Sequence, residues 1–454
     1  MKRVLIANRG EIACRVIAAC HGLDIEAVAI YSDADRNARH VRMADAAHHI
    51  GPSRVDRSYL NVEAVLAAAR EAGADAIHPG YGLLSENAGF AAAATEAGLV
   101  WIGPAPETIA AMGDKGRART IAAEAGVPVL PGSPRFAEAD ADEIAAHGAA
   151  TGYPLLVKAA GGGGGIGMRR VDRGEELAGV VEATRSMAER AFGNPTVYLE
   201  RFVPTARHIE VQIFGFGDGR AVHFYERECS VQRRFQKVIE EGPSPALDPS
   251  TRMRMAEAAA ALAASQRYAG AGTVEFIFDD DSGAFYFLEM NTRIQVEHAV
   301  TEMITGLDLV QMQLRLARGD DFSDFGQTDI GTEGHAIELR VYAENPARNY
   351  LPSPGKISRA AFPSGESLRV DTGFEEGDEI TAFYDPLIAK LIVLGSDRAD
   401  AIARGRAMLG RTVVEGPATN LALLNAVLAH PAFVEGRTFT NFLDLHRQDL
   451  LAPA

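Results

Sequence analysis

A chain of 454 residues, 47% hydrophobic and 23% charged, is long enough for about three globular domains of roughly 150 residues each. Its formal net charge is −16 at pH 7, because 61 acidic residues outnumber 45 basic ones. This charge excludes a general basic surface for nucleic acid, which needs the opposite sign.

The N-terminal region alternates between predicted strands and helices. The strands are expected at residues 4–7, 27–31, 75–78 and 100–103, and the helices at 10–20 and 62–72. Strands separated by helices indicate a parallel sheet with right-handed crossovers. The turn after the first strand reads NRGE rather than GxGxxG, which disfavours a dinucleotide-dependent dehydrogenase.

A middle segment follows the turn at Pro104-Ala105-Pro106 and extends over about residues 114–203. It contains a predicted strand at 155–158 and then a run of five glycines at 161–165. Each glycine costs roughly 0.5–1 kcal/mol of folding free energy relative to alanine in a regular element, so the bare backbone has a use. A loop whose N–H groups fold over phosphates is the favoured interpretation, and a plain flexible linker is the alternative. GxxxxGK[ST] is absent, which excludes a Walker-type loop.

From residue 208 the sequence alternates between apolar and polar side chains. The apolar set is Ile209, Val211 and Ile213, and the polar set is His208, Glu210 and Gln212. This alternation predicts a half-buried strand. Taken alone, His208 is interpreted as a structural histidine rather than a catalytic one.

A basic segment, RECSVQRRFQK, covers residues 227–237. An exposed basic loop is the simpler interpretation in an acidic protein. The alternative is an anion contact, which Lys237 favours because lysine is scarce in this chain. Only six of the 45 basic residues are lysines: Lys2, Lys115, Lys158, Lys237, Lys356 and Lys390.

Residues 273–278 and 285–291 predict a β-hairpin whose turn lies within 279–284, centred near Ser282. This register would place Glu275 across from Glu289. Like charges directly opposed on two strands are destabilising, and a divalent cation between them would convert the repulsion into a binding site. Two solvated glutamates are the alternative. Asn291 would share the strand face of Glu289.

From within the second strand of this hairpin onward, polar residues recur at every second position. They are Glu289, Asn291, Arg293, Gln295 and Glu297. An extended segment would put all five side chains on one side, where a metal, an anion and a base could be held within reach of one another. A solvent-facing strand is the alternative.

The C-terminal region, after Gly334, predicts further short strands, a turn at residues 352–355, and helices at 398–409 and 418–428. Cysteines are few and show no CxxC pattern, which fits a reducing compartment without disulfides. The first residues have too short an apolar run for a signal peptide, and no stretch approaches the roughly 20 apolar residues of a membrane span. We therefore expect a cytoplasmic protein that does not associate with a membrane.

These segments together resemble biotin carboxylase, a member of the ATP-grasp superfamily, over essentially the whole chain. The matching stretches are IANRGEIA at 6–13, HPGYGLLSEN at 78–87, MGDK at 112–115, the glycine run, 229–237, 289–298, YLPSPGK at 350–356 and YDPLIAK at 384–390. The motifs at 227–237 and 290–297 are highly specific together, whereas the glycine run alone is not.

The resemblance implies a mixed α/β and α+β chain with an ATP-grasp fold. Its expected parts are a Rossmann-like parallel-sheet domain at 1–113, an ATP-grasp domain at 114–330 with a mobile lid at about 131–203, and a mixed α/β C-terminal domain at 331–454.

The resemblance also implies a reaction: ATP and bicarbonate form carboxyphosphate, which carboxylates carrier-attached biotin and leaves ADP and phosphate. This would be the first half-reaction of an acyl-CoA carboxylase, with acetyl-CoA as one candidate acceptor. The implied cofactors are ATP, Mg²⁺ or Mn²⁺, and biotin. The implied partners are a biotin carboxyl carrier protein or domain, a carboxyltransferase component and a second copy of the chain as a homodimer. No lysine lies between methionines, so biotin is expected on another protein or domain.

Site residues follow from the resemblance, position by position. The catalytic set is Lys237, Arg293, Glu297 as the base that deprotonates bicarbonate, and Arg340 as the cation that stabilises the biotin enolate. The nucleotide and bicarbonate contacts are Lys115, Lys158, Gly163, Gly164, Gly165, Glu200, Val203, His208, Gln232, Gln295 and Val296. The magnesium residues are Glu275, Glu289 and Asn291.

Three positions depart from the pattern of the family. Many members have a basic residue at Ile166, histidine at Phe235 and proline at Ala299. The first two departures alter the rim of the nucleotide and anion pocket, which suggests a specialised complex.

The alternatives to an acyl-CoA carboxylase component are another ATP-grasp ligase, the same half-reaction in a urea or pyruvate carboxylase, and a nucleotide-binding scaffold without turnover.

Overall fold

The computed structural model describes residues 1–160 and 167–451. The predicted loop residues Gly163, Gly164 and Gly165, together with Ile166, lie outside the described residues. The chain divides into two compact units. The first comprises Met1–Val127, Arg207–Phe276 and Leu288–Ala454, and the second comprises Pro128–Ala206 and Ile277–Phe287.

The N-terminal part of the first unit is a parallel sheet with helices between its strands. Its strands are β1 (Arg3–Ile6), β2 (Glu26–Ser32), β3 (Ala46–Gly51), β4 (Ala76–His78) and β5 (Val100–Trp101). Its helices are α1 (Gly10–His21), α2 (Arg39–Met43), α3 (Val62–Ala72), α4 (Ala88–Glu96), α5 (Pro106–Gly113) and α6 (Lys115–Glu124). The strand order is β3-β2-β1-β4-β5, and every pairing is parallel. The predicted parallel sheet is confirmed.

Local sequence explains where these elements begin and end. The side chain of Asn61 accepts a hydrogen bond from the backbone of Ala64 at the start of α3, and Gly73 ends that helix at φ 60°. Strand β3 escaped prediction because its sequence, AAHHIG, carries two histidines and lacks a clear apolar alternation.

The second unit contains a three-stranded antiparallel sheet. Its elements are α7 (Ala141–Thr151), β6 (Leu155–Ala159), β7 (Met168–Val171), α8 (Gly174–Phe192) and β8 (Val197–Arg201). The strand order is β7-β6-β8. Leu155, Val157 and Leu199 are fully buried and pack with Leu177 of α8, so this unit has a small hydrophobic core of its own.

The remaining elements are mostly antiparallel strands and the helices that cover them. They begin with β9 (Ala206–Phe216), β10 (Ala221–Arg233), β11 (Gln236–Gly242), α9 (Pro249–Ser265), β12 (Ala269–Asp279), β13 (Ala284–Asn291), α10 (His298–Thr305) and α11 (Leu309–Arg318). They continue with β14 (His335–Tyr342), β15 (Glu344–Asn345), β16 (Leu351–Pro352), β17 (Gly355–Lys356), β18 (Arg359–Ala361), β19 (Leu368–Thr372), β20 (Glu379–Ile380) and β21 (Leu387–Gly395). The last are α12 (Arg398–Arg411), β22 (Val413–Glu415), α13 (Leu421–Ala429), α14 (Pro431–Val434), α15 (Phe442–Leu445) and α16 (Arg447–Leu450).

Eight of these strands form one large sheet in the order β13-β12-β9-β10-β11-β14-β21-β19. The predicted hairpin is confirmed as β12 and β13, which are neighbours joined by a turn at 280–283. Across residues 1–160 and 167–451, no helix combines the length and the apolar character that crossing a membrane requires.

Three sequence-based expectations were wrong. Strand β9 is not half-buried: Glu210 and Gln212 on its polar face are fully buried, because buried partners satisfy them. The basic segment is not an exposed loop but the hairpin β10–β11, in which Arg227 is fully buried and Phe235 lies exposed at the tip. The row from Glu289 to Glu297 is not extended throughout, because β13 ends at Asn291 and α10 begins at His298.

Candidate active site

Lys237, at the start of β11, is surrounded by carboxylates. Its Nζ lies 2.9 Å from Glu275 Oε1 and 2.7 Å from Glu297 Oε1, and it also contacts Glu210. Burial acts to lower the pKa of Lys237, but the three carboxylates outweigh burial and raise it well above its ordinary value. The ammonium is therefore a fixed positive charge in a largely buried site.

Glu297 lies immediately before α10, and its carboxylate bridges two cations. Oε1 accepts from Lys237, and Oε2 accepts from Arg340 Nη2 at 2.9 Å. Burial acts to raise the pKa of Glu297, but Lys237, Arg340 and Arg227 hold it well below its usual range. The group is ionised at neutral pH and is an acceptor at both oxygens.

Arg340, in β14, contacts the Glu297 oxygen that Lys237 does not contact. Its guanidinium also forms an ion pair with Glu240 and lies 3.5 Å from the Tyr342 hydroxyl. The side chain is 7% exposed, so its planar donors are aimed within the protein and are little shared with water.

Arg227 is the fully buried centre of the neighbouring hydrogen bonds. Its Nε donates to Glu210 Oε1 at 2.6 Å, and Nη2 donates to Gln295 Oε1 at 2.8 Å. Gln295 in turn donates from Nε2 to Glu275 Oε1 at 2.8 Å. Arg227 thus orients the Gln295 amide and one of the acids that bind Lys237.

The predicted metal residues Glu275 and Glu289 differ in their surroundings. Glu275 accepts from Asn291 Nδ2 at 2.7 Å and forms an ion pair with His208 Nε2 at 2.7 Å. Glu289 is half-exposed, and Lys115 Nζ lies 3.7 Å from its Oε2. Burial first, and the charge of Glu275 second, raise the pKa of Glu289. The expected repulsion between the two acids is therefore present, and two carboxylates with this conflict fit a hard divalent cation such as Mg²⁺.

Arg293 is held by Glu86, a residue that the sequence reasoning did not single out for a role. Arg293 Nε donates to Glu86 Oε2 at 2.9 Å, and Glu86 Oε1 also accepts from the backbone N–H of Thr292 at 3.1 Å. Arg293 Nη2 donates to Asn291 Oδ1 at 2.7 Å. Glu86 fixes both the side chain and the backbone at this bend.

The structure joins most of the predicted site residues of the first unit in one set of contacts. The set is His208, Lys237, Glu275, Asn291, Arg293, Gln295, Glu297 and Arg340. Gln232 is buried and pairs with Lys237 across the hairpin β10–β11. The backbone carbonyl of Val296 accepts from Lys390.

Three further predicted residues lie in the second unit. Lys158 of β6 forms an ion pair with Glu200 of the adjacent strand β8. Val203 is buried just beyond β8. The pair shows that Lys158 carries a compensated charge within its own sheet.

Sequence reasoning missed the roles of Glu210, Glu240 and Lys390 as well as Glu86. Glu210 had a signal, since it lies on the polar face of β9 beside His208. Lys390 had one too, as a rare lysine within a matching stretch. Glu240 had none, because its significance depends on the strand opposite to it.

Glu240 of β11 lies directly across from Glu338 of β14, and both side chains are fully buried. Burial raises the pKa of Glu240 from 4.5 to about 7, with Arg340 opposing and Glu297 adding to the shift. Burial also raises the pKa of Glu338 well above its ordinary value. Two acids opposed in this way retain a proton that solvated acids would lose.

A pH-dependent stability follows from this pair. The folded protein binds the proton on Glu240 more tightly than the unfolded chain does, so the stabilisation is full below pH 4.5 and is lost as pH rises to about 7. We expect Glu240→Gln to make the decline in the free energy of unfolding between these pH values shallower than in the wild type. Urea unfolding at a series of pH values measures it. The control Glu257→Gln, at an exposed position of α9, keeps the wild-type slope. An unchanged slope in Glu240→Gln would contradict the assignment.

Comparisons with known proteins identify the family of this chain. Family models match the N-terminal domain of biotin carboxylase at residues 1–109, the ATP-binding domain of the carbamoyl-phosphate synthase L chain at 114–324, and the C-terminal domain of biotin carboxylase at 338–445. Biotin carboxylase 2 of Bacillus subtilis (strain 168) is 49% identical over 446 residues, which cover 98% of this chain and 99% of that protein. This chain belongs to the biotin carboxylase family. The predicted resemblance and fold class are confirmed, and the chain is an ATP-dependent ligase by family.

Two other relatives differ in how much of their own length this chain covers. The mitochondrial methylcrotonoyl-CoA carboxylase subunit alpha of Mus musculus is 46% identical over 99% of this chain, but the chain spans only 62% of that relative's length. The biotin carboxylase domain dimer of 2-oxoglutarate carboxylase from Hydrogenobacter thermophilus, solved with MgADP, ADP and bicarbonate, is 43% identical with a TM-score of 0.91. That match covers 100% of this chain and 99% of the other.

Proposed function

We propose that this chain uses ATP and bicarbonate to carboxylate biotin on a separate carrier, through carboxyphosphate. The observation that carries the proposal is the Glu297 carboxylate held between Lys237 and Arg340. A base flanked by two cations suits a substrate that is itself an anion and must lose a proton, because the cations compensate the charge of bicarbonate beside the base.

The first step of the proposed reaction forms carboxyphosphate from bicarbonate and ATP. Lys237, Arg293 and Gln295, with the backbone at Val296, bind bicarbonate. Glu297 takes the bicarbonate proton, the freed oxygen attacks the γ-phosphorus of ATP, and ADP leaves. When bicarbonate shares Lys237, less positive charge faces Glu297, so its basicity rises as the substrate binds.

The second step uses Arg340, the cation that contacts the other oxygen of the Glu297 carboxylate. Carboxyphosphate releases CO₂ and phosphate, the released phosphate takes the proton from the ureido nitrogen of biotin, and that nitrogen attacks the CO₂. Arg340 stabilises the enolate oxygen that develops on biotin, a task for which a planar guanidinium is suited.

The nucleotide and metal contacts belong to the same proposal. Glu275 and Glu289, with Asn291, would hold Mg²⁺ or Mn²⁺. A divalent cation held there would supply positive charge that offsets the negative charge of the transferred phosphoryl group. The proposed nucleotide contacts are Lys115, Lys158, Gly163, Gly164, Gly165, Glu200, Val203, His208 and Gln232.

The proposal extends to domains, partners and location. We propose domains at 1–113, 114–330 and 331–454, with a lid at about 131–203 that excludes water from the labile carboxyphosphate. The proposed partners are a biotin carboxyl carrier, a carboxyltransferase component and a second copy of the chain, in the cytoplasm. A dimer in the Hydrogenobacter thermophilus relative supports the homodimer. The methylcrotonoyl-CoA carboxylase relative supports an acyl-CoA as the final acceptor.

One assay tests the proposed function. Purified protein is incubated with magnesium-ATP and bicarbonate, with and without free biotin, and ADP release is measured. We expect ADP release that depends on bicarbonate and is stimulated by biotin. Folded protein that shows no stimulation at high biotin would overturn the proposal. Stimulation by an amine in place of biotin would indicate another ATP-grasp ligase.

A further inference from the structure

Lys390 is a rare lysine to which the proposed reaction gives no role. It lies in β21 and is fully buried. In the ladders of the large sheet it pairs with Arg340 on β14 and with Asp371 on β19. Residues that pair across antiparallel strands point to the same face, so Lys390 shares the face of the sheet that carries Arg340.

The ammonium of Lys390 contacts three separate segments. Nζ donates to the carbonyl oxygen of Val296 at 2.7 Å. It lies 3.3 Å from Glu11 Oε2 and 3.4 Å from Asp371 Oδ2. Glu11 belongs to α1 and accepts a further hydrogen bond from the Tyr81 hydroxyl. The shortest of these Lys390 contacts is the one to the backbone beside Glu297.

The charge of Lys390 is compensated without that backbone contact. Burial acts to lower its pKa, but Glu11, Glu338 and Asp371 outweigh burial and raise it, so the ammonium stays protonated. Two carboxylates, those of Glu11 and Asp371, lie within 3.4 Å of the ammonium, and Asp371 also pairs with Arg369. The hydrogen bond to Val296 is therefore not needed to balance the charge of Lys390. Its effect is on the geometry of the backbone at Val296.

That consequence follows from the planarity of the peptide bond. The carbonyl oxygen of Val296 lies in one plane with the nitrogen and Cα of Glu297. A donor that holds this oxygen therefore also restricts the position of the Glu297 N–Cα bond, from which the Glu297 side chain leaves the backbone. The Glu297 carboxylate has to meet Lys237 on one oxygen and Arg340 on the other, so a rotation of this plane would separate it from at least one of them.

We propose that Lys390 is a positioning residue for carboxylation: its ammonium orients the peptide between Val296 and Glu297 and so aims the base at bicarbonate. The inference depends on the proposed function of Glu297. In this proposal, buried Lys390 affects proton transfer at Glu297 through its hydrogen bond to the backbone of Val296.

Two variants test the proposal. Lys390→Met removes the donor at similar length, and Lys390→Met with Glu11→Gln also removes the carboxylate that the first change would leave unpaired. In both, we expect kcat for bicarbonate- and biotin-dependent ADP release to fall by about 10- to 100-fold, the scale of a misplaced catalytic group. We expect the KM for ATP to stay within about twofold of wild type, because the base is not a nucleotide contact. The control Lys356→Met, at an exposed position of β17, keeps wild-type kcat.

Thermal unfolding separates positioning from charge compensation. If the double variant recovers both the wild-type melting temperature and wild-type kcat, Lys390 only neutralises Glu11 and the proposal is overturned. Wild-type kcat in Lys390→Met alone also overturns it. A double variant with a recovered melting temperature and a low kcat supports it. The wild-type assay with biotin is read first, so a failure of the proposed function is recognised before any variant is compared.

Discussion

Glu297→Gln is expected to reduce bicarbonate-dependent ADP release by about 1,000-fold, within the range that general base catalysis contributes. The amide keeps the shape of the side chain but has no basic oxygen to take the bicarbonate proton. It also replaces one acceptor by a donor, which would face Lys237 or Arg340 and repel it. Steady-state ADP release at saturating ATP and bicarbonate measures the loss.

Nucleotide binding provides the internal check on Glu297→Gln. The dissociation constant of ATP, measured by calorimetry, is expected to stay near wild type, because Glu297 contacts two cations rather than the predicted nucleotide residues. The matched control Glu257→Gln, on the exposed side of α9, should retain full turnover. Near-normal turnover in Glu297→Gln with ATP bound would show that another group is the base.

Arg340→Ala is expected to reduce biotin carboxylation by about 100-fold or more, the cost of removing one donor that stabilises a developing negative charge. Bicarbonate-dependent ATP cleavage should fall less, because Lys237 and Arg293 remain to bind bicarbonate. The measurement compares ¹⁴C transfer from bicarbonate to biotin with ADP release in the same samples.

Folding has to be controlled in Arg340→Ala, since the change leaves Glu240 and Glu297 without a shared cation. Arg340→Lys keeps the charge but loses the planar pair of donors, so it should recover stability before it recovers biotin carboxylation. Arg406→Ala, at an exposed position of α12, serves as the matched control. Equal losses of carboxylation and ATP cleavage in Arg340→Ala would contradict the enolate role.

The fold was predictable where local patterns have one physical solution. Helix α3 was predicted at residues 62–72 and observed as Val62–Ala72, because an alanine-rich segment lies between an asparagine cap and a glycine end. The hairpin β12–β13 was predicted because two apolar runs flank a short turn of small and acidic residues. Strand β3 was missed, since pairing with β2 rather than its own pattern makes it a strand.

The site was predictable in its members but less so in its arrangement. The two specific motifs contain Lys237, Arg293 and Glu297, so sequence alone was enough to identify these residues. The prediction that five alternate residues share one side of an extended strand was wrong beyond Asn291. Turns and the start of α10 nevertheless bring Gln295 to Glu275 and Glu297 to Lys237, by a path that residue spacing does not encode.

Sequence alone determined the family, the parallel N-terminal sheet and the scarcity of lysine, because motifs and periodicity are local properties of the chain. Only the tertiary structure decided which charges face each other. Strand pairing brings Glu240 opposite Glu338 and Lys390 opposite Arg340, from segments distant in the chain. Burial then turns those pairings into shifted pKa values and fixed directions, since buried charges must find their partners inside the protein.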